Sequence, residues 1–206
     1  MTTNEKKFDY KKFLRKNRVS YLNYITHINN LDSILHIGIL SRNEVEQQGL
    51  KYERIDWESV QNFRKGHIKN IHDFVPLFFA THTPMLYVTC HDGDLQNDIA
   101  IIKIDIGILE NRDVSFSDKN CAKYDVNLYT DLSDLTNLKW DIINTKNCWS
   151  PNFRAYKSAE VLVYNKVELP FIHRVYVATQ ETKNRIDNMV QTERKGIINV
   201  KPDEFY

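Results

Sequence analysis

The strongest constraint on the fold is a run in the middle of the chain, residues 99–106 (IAIIKIDI), which is apolar almost without interruption and rich in β-branched side chains. A strand with water on one face alternates apolar and polar residues, whereas a run filled on both faces predicts a strand covered on both sides, at the centre of a sheet. Other strands are expected over residues 21–28 (YLNYITHI), 75–79, 159–164 (AEVLVY), 175–178 and, at an edge, 197–200. Helices are fewer. One starts after Asn30 as its cap, carries Leu31, Ile34 and Leu35 on one side and stops at Gly38. A second starts at Pro84, with proline in its first turn. A third follows Thr179 and sets Ile186, Met189 and Val190 in one stripe. Residues 39–70 are polar with scattered aromatics and one irregular helix near 57–63, the composition of a segment that covers a ligand. Strands outnumber helices without regular βαβ alternation, so the class is α+β with a mainly antiparallel sheet.

The chain has 206 residues, enough for one core and not for two. At 42% hydrophobic and 27% charged it is a globular composition, not a disordered one. Twenty-eight Lys and Arg against 27 Asp and Glu leave a net charge of +1, which announces no polyanionic partner but can hide a local basic patch. No apolar run approaches the ~18 residues of a membrane span, and the N-terminal residues lack the apolar middle of a secretory signal. Three cysteines without close pairing fit a reducing compartment, so a cytoplasmic location is expected. Within residues 1–20, Lys6, Lys7, Lys11, Lys12, Arg15, Lys16 and Arg18 make a basic leader in which Tyr10, Phe13 and Leu14 form a short helical stripe. It reads either as a solvated helix docked on the body or as an arm that tracks phosphates. Residues 21–206 read as the single domain.

Neither standard phosphate cradle (GxGxxG or GxxxxGK[ST]) is present, nor HExxH, and the seven histidines show no zinc-ligand spacing. No metal is expected; His67 and His72, five apart, are the nearest approach to a metal pair. Two residues break the local rules. Glu160 interrupts AEVLV, a run that otherwise demands burial, on the strand face shared with Leu162 and Tyr164. A carboxylate there must be paired, neutral or at a wet cleft, because its unpaired burial costs several kcal/mol. His27 stands at a strand end just before a helix, where ligand-orienting groups collect, although a satisfied core histidine fits the same place. From the residues alone both readings stay open.

Six blocks in order resemble the DarT family of DNA ADP-ribosyltransferase toxins. They are Tyr24–Leu31 (YITHINNL) with Ile34, Leu35 and Gly38–Ser41; Tyr52 twelve residues before Arg64; Val75, Pro76 and Phe79 followed by Pro84–Tyr87 (PMLY); Phe116–Ala122 (FSDKNCA); Leu135 to Trp140; and Ala159–Val163 (AEVLV). Ala80–Thr83 and Lys119 depart from the family pattern, and the basic leader precedes the match.

The resemblance implies an ADP-ribosyltransferase fold, two splayed and mainly antiparallel sheets around an NAD cleft with peripheral helices. It implies NAD as co-substrate, held by His27, Ile28, Asn29 and Arg64 under a covering segment at about residues 49–66. Glu160 becomes the catalytic glutamate and Arg64 the second catalytic residue. The acceptor implied is a base, thymidine foremost, in single-stranded DNA, read by a loop at about residues 120–160. There Lys119, Asn120, Lys123, Lys146, Trp149 and Arg154 interleave with Tyr124, Phe153 and Tyr156, the mixture of cations and stacking platforms that single strands require. The family role of the arginine is to take the proton from the base, but a guanidinium with a pKa above about 12 is better suited to stabilising negative charge. The resemblance also implies a DarG-like macrodomain antitoxin as partner, and a monomer is the simplest expectation. The alternatives are another acceptor (guanine in DNA, RNA or protein) or a catalytically silent nucleic-acid-binding module on the same fold.

Overall fold

The computed structural model describes residues 8–56, 58–92, 94–146 and 150–206; Trp57 and Trp149 therefore lie outside the described residues. The chain opens with helix α1 (Tyr10–Lys16), capped by Asp9, whose carboxylate accepts the Lys12 N–H at 2.9 Å. Its stripe packs on the body: Tyr10 and Leu14 are buried, and the Tyr10 hydroxyl donates to Glu110 at 2.8 Å. Strand β1 (Tyr21–His27), helix α2 (Leu31–Ile37), strand β2 (Ile39–Leu40) and helices α3 (Arg42–Gln47) and α4 (Glu58–His67) follow. Next come β3 (Phe74–Phe78), α5 (Pro84–His91), β4 (Ile99–Asp105), β5 (Val114–Ser117) and β6 (Leu128–Tyr129). The last part holds α6 (Trp140–Ile143), α7 (Pro151–Lys157), β7 (Glu160–Tyr164), β8 (Lys166–Val167), β9 (Ile172–Val177), α8 (Gln180–Met189) and β10 (Ile198–Val200).

Eight strands form one sheet in the order β10-β9-β4-β1-β3-β7-β5-β6, and β2 and β8 pair separately. All pairings are antiparallel except β9 with β10. The run 99–106 is central as its composition requires, with Ile99, Ala100, Ile101, Ile102 and Ile104 fully buried. Each such isoleucine contributes on the order of 1.5–3 kcal/mol of burial. β1 pairs with β4 from Tyr21 opposite Asp105 to His27 opposite Ile99, yet meets β3 at one position, Asn23 opposite Phe78. The two splayed sheets of the sequence reading are therefore two halves of one sheet, pinned at that point and parting beyond it.

The pin is made by side chains. Asn23 Nδ2 donates to the carbonyls of Phe78 and Phe79 at 3.2 and 3.3 Å. Lys103, opposite Asn23 on β4 and buried, donates to Asn23 Oδ1 at 2.7 Å, Thr81 Oγ1 at 3.1 Å and Glu204 Oε2 at 2.6 Å. Burial pulls the Lys103 pKa below its ordinary value, against the opposing effect of Glu204. Two sequence expectations need correction. Asn30 does not cap α2 with its side chain, which is engaged elsewhere, as described below. Met189 is 39% exposed, because α8 ends there and the extended backbone at Val190 turns that side chain into the core instead.

Candidate active site

Where the halves part, a cleft of about 1160 Å³, open mouth included, lies between them. Tyr24 and Thr26 on β1 form one wall, and Pro76 and Phe78 on β3 the other. The β2–β8 ribbon closes one end, and only glycine fits its entry. Gly38 has φ +92°, and a Cβ there would lie 2.5 Å from the Val167 carbonyl oxygen. The polar stretch expected to cover a ligand does line this cleft from Leu50 to Asp56, and α4 follows it. Asn30 ties this stretch to β1: its Oδ1 accepts the Glu53 N–H at 2.8 Å, and its Nδ2 donates to the Glu53 carbonyl at 2.9 Å and to Thr26 Oγ1 at 3.0 Å.

Arg64, on α4, lines the cleft and is buried. Its Nη2 lies 2.8 Å from Glu160 Oε2, with side chains 7% and 0% exposed. Glu160 is the first residue of β7, directly across from Phe78 and hence on the same sheet face as that cleft residue. Its backbone N–H is accepted by Ser117 Oγ at 2.9 Å, and its Oε1 accepts the Cys121 N–H at 3.0 Å. The guanidinium contact is close but not aligned as a hydrogen bond, so Glu160 Oε2 and Arg64 Nε are both buried without a hydrogen-bond partner. In a finished structural ion pair such atoms are satisfied; an unsatisfied pair calls for a functional explanation. Burial lowers the Arg64 pKa, the Glu160 charge raises it, and the balance lies above the ordinary value, so Arg64 stays a cation. Cys121, in the turn that follows β5, is fully buried. Burial and then Glu160 push its thiol pKa up, so it is neither a nucleophile nor a thiolate.

His27 ends β1, half-buried, with Nδ1 accepting the Asn29 N–H at 3.2 Å. Asn29 is exposed. Ile28 corrects the sequence reading: its side chain is fully buried in the core, so only its backbone can reach a ligand. None of the three belongs to the cleft lining proper.

In the loop of residues 120–160, Lys119 also needs correcting. It is buried, with Nζ 2.9 Å from Asp125 and 3.8 Å from Asp118 and above the Tyr156 ring at 5.0 Å, so it braces the loop and presents no surface charge. Asn120 does likewise, its Oδ1 accepting the Ala122 N–H at 2.7 Å and its N–H reaching the Ala155 carbonyl. Lys123, Lys146 and Arg154 are exposed, as are Tyr124 at 85% and Phe153 at 44%. Trp149, also expected in this set, lies outside the described residues.

Sequence reasoning missed Arg42, Arg54 and His72, which line the cleft, and the Asn30 clamp. Nothing in their local pattern marks them, because the fold assembles them from separate segments. Among the described residues no cluster of His, Cys, Asp or Glu could hold a metal ion, and no helix is long and apolar enough to cross a membrane.

Solved structures share this architecture. The DarT of Thermus sp. 2.9 in complex with ADP-ribosylated single-stranded DNA superposes with a TM-score of 0.78 at 22% identity, covering 92% of this chain and 97% of that one. The DarTG of Thermosipho africanus in complex with ADP-ribose gives 0.80 at 26% identity, over 90% of this chain and 51% of that one. The fold is that of the ADP-ribosyltransferases. A DNA ADP-ribosyl transferase–DNA ADP-ribosyl glycohydrolase fusion protein of Thermosipho africanus is 29% identical over 189 residues, 88% of this chain and 48% of its own length, so the chain spans about half of that relative. A DNA ADP-ribosyl transferase of Thermus aquaticus is 29% identical over 190 residues, 87% of this chain and 81% of its own. The profile of the DarT family, described as ssDNA thymidine ADP-ribosyltransferase, matches residues 23–206, and the chain belongs to that family.

Proposed function

We propose that this chain transfers ADP-ribose from NAD to thymidine in single-stranded DNA, with Glu160 as the catalytic carboxylate and Arg64 as its electrostatic partner, and that it acts as the toxin of a toxin–antitoxin pair. The observation that carries the reading is the state of the Glu160 carboxylate. One oxygen is fixed by a backbone N–H; the other lies 2.8 Å from Arg64 Nη2 but accepts no aligned hydrogen bond, and Arg64 lines the cleft. A ribose hydroxyl donating to that oxygen completes it. As the bond between nicotinamide and ribose C1′ breaks, the sugar develops oxocarbenium character and nicotinamide leaves with the electron pair. A fixed negative charge stabilises that state more than the ground state. A ring nitrogen of the base then bonds to C1′ and gives up its proton to solvent water. Arg64, held cationic, suits the negative charge that develops on the base and is a poor recipient for the proton. Arg42 and Arg54 supply positive charge along the same cleft for the diphosphate, each already beside an acid, Glu46 and Asp56 respectively.

A DarG-like macrodomain partner that reverses the modification fits the fusion relative, which carries a DNA ADP-ribosyl glycohydrolase in the same polypeptide. The catalytic assignment is tested by Glu160→Gln, which keeps the shape and removes the charge. Transfer is expected to fall by orders of magnitude while NAD affinity stays within a few-fold; retention of full turnover overturns the assignment.

A further inference from the structure

Among the described residues, three buried side-chain polar atoms have no hydrogen-bond partner: Glu160 Oε2, Arg64 Nε and His72 Nε2. The first two belong to the Glu160–Arg64 pair. The third takes no part in the reaction proposed above, yet His72 lines the same cleft and is only 7% exposed. A buried imidazole nitrogen without a partner is costly to the free protein and is completed when a ligand supplies the bond.

The fold fixes where this imidazole sits. His72 is the middle residue of the turn Ile71–Asp73, which leads into β3. Asn70 enters the turn in a left-handed conformation at φ +59°, and its carbonyl accepts the Asp73 N–H at 2.9 Å. The Asp73 carbonyl accepts the Asn165 N–H at 2.7 Å, and its carboxylate accepts from Asn43 on α3. Ile71 is buried in one cluster with Cys121, whose N–H holds the Glu160 carboxylate. His72, Phe74, Pro76 and Phe78 alternate along the chain and all line the cleft. His72 therefore extends the row that ends at Phe78, opposite Glu160.

The surroundings of the imidazole are positive. Helices α3 and α4 both pack on this turn. From α3 come Arg42 and Glu46, already bonded to each other, and from α4 come Arg64 and Lys65. On the turn itself, Asp73 is engaged by Asn43. Burial, then Arg42, Lys65 and Arg64, push the His72 pKa down to about 4, and Glu46 opposes them only in part. A ligand hydroxyl at Nε2 gains nothing from these cations, whereas an oxyanion gains from each of them.

We propose that His72 Nε2 donates a hydrogen bond to an oxyanion of the NAD diphosphate, as a binding residue of the cleft beside Arg42. The inference rests on the function proposed above and deepens it by assigning a ligand contact to a buried atom that the reaction leaves unused. The bound oxyanion offsets the surrounding cations and favours the imidazolium, so ligand and proton bind together.

The test uses ADP-ribose, whose diphosphate keeps a fixed charge between pH 5 and 8 and which cannot be transferred. Calorimetry at pH 5.5 in buffers of different ionisation enthalpy counts the protons taken up on binding by the unaltered protein, His72→Gln and His72→Leu. The unaltered protein is expected to take up at least about half a proton more than His72→Gln, as the imidazole moves from about 4 toward its ordinary value near 6.5. Glutamine keeps an N–H donor but cannot titrate, so at pH 8 it binds within about threefold of the unaltered protein, while leucine binds about tenfold more weakly. The glutamine comparison decides by itself if the leucine chain does not fold. Equal proton uptake by the unaltered protein and His72→Gln, or a folded leucine variant of undiminished affinity, overturns the contact. Weakened binding by leucine without a proton difference assigns Nε2 to a neutral group such as a ribose hydroxyl and equally overturns the oxyanion. Because binding is read without transfer, the two ideas separate. Thymidine modification without the proton difference sinks only the His72 contact; the proton difference with no modification of DNA sinks only the proposed activity.

Discussion

Arg64→Met removes the guanidinium from a carboxylate that is 0% exposed while keeping an unbranched apolar stem. Breaking one side of a buried pair ordinarily costs about 3–5 kcal/mol. The Cys121 N–H, which remains on Oε1, relieves part of the burden. The variant is thus expected to be less stable than the parent by about 3 kcal/mol, as measured by urea denaturation. Adding Glu160→Gln to Arg64→Met removes the stranded charge and raises stability above that of the single variant, a non-additivity only a coupled pair produces. A deficit below about 1 kcal/mol, or a double variant no more stable than the single one, refutes the reasoning, since the pair would then not be a buried charge pair in solution.

Asn30→Ala frees the backbone of Glu53 and loosens the stretch that lines the cleft. KM for NAD is expected to rise several-fold with kcat little changed, by steady-state kinetics. His72 is pushed down to about 4 by burial and then by Arg42, Lys65 and Arg64, from an ordinary value near 6.5. Its neutral form is the folded one, so its contribution is complete above pH 6.5 and is lost as pH falls toward 4; His72→Gln flattens that part of a Tm-against-pH profile. Glu204→Ala strands the Lys103 ammonium at the pin between the sheet halves. Because the Glu204 side chain is 30% exposed, the expected loss is discounted to about 1–3 kcal/mol, read as a lowered Tm.

Much of the fold was legible because its signals are local. The IAIIKIDI run declared a central strand, Thr179 and Pro84 marked helix starts, and Glu160 stood out because a carboxylate in AEVLV contradicts its surroundings. What stayed hidden depends on contacts between distant segments. Lys103 looks like an ordinary interruption in a strand, and its burial is made tolerable by Asn23, Thr81 and, 101 residues away, Glu204. Asn30 has the spacing of a helix cap, yet Glu53 offers its side chain a better pair of backbone partners. Lys119 reads as a surface cation in a polar turn until Asp125 and the Tyr156 ring are brought to it. Charge and polarity along the chain identify which residues need partners; tertiary packing decides whether that partner is the protein itself or a substrate.

The central claim is transfer of ADP-ribose to thymidine in single-stranded DNA, and the most direct measurement is intact mass. Purified protein is incubated with NAD and short oligonucleotides, single- and double-stranded, each lacking one base, with Glu160→Ala as control. A gain of one ADP-ribose only on single strands that contain thymidine, absent with the variant, is the predicted result. A gain that tracks another base contradicts the assigned acceptor, and no gain on any DNA contradicts the activity itself.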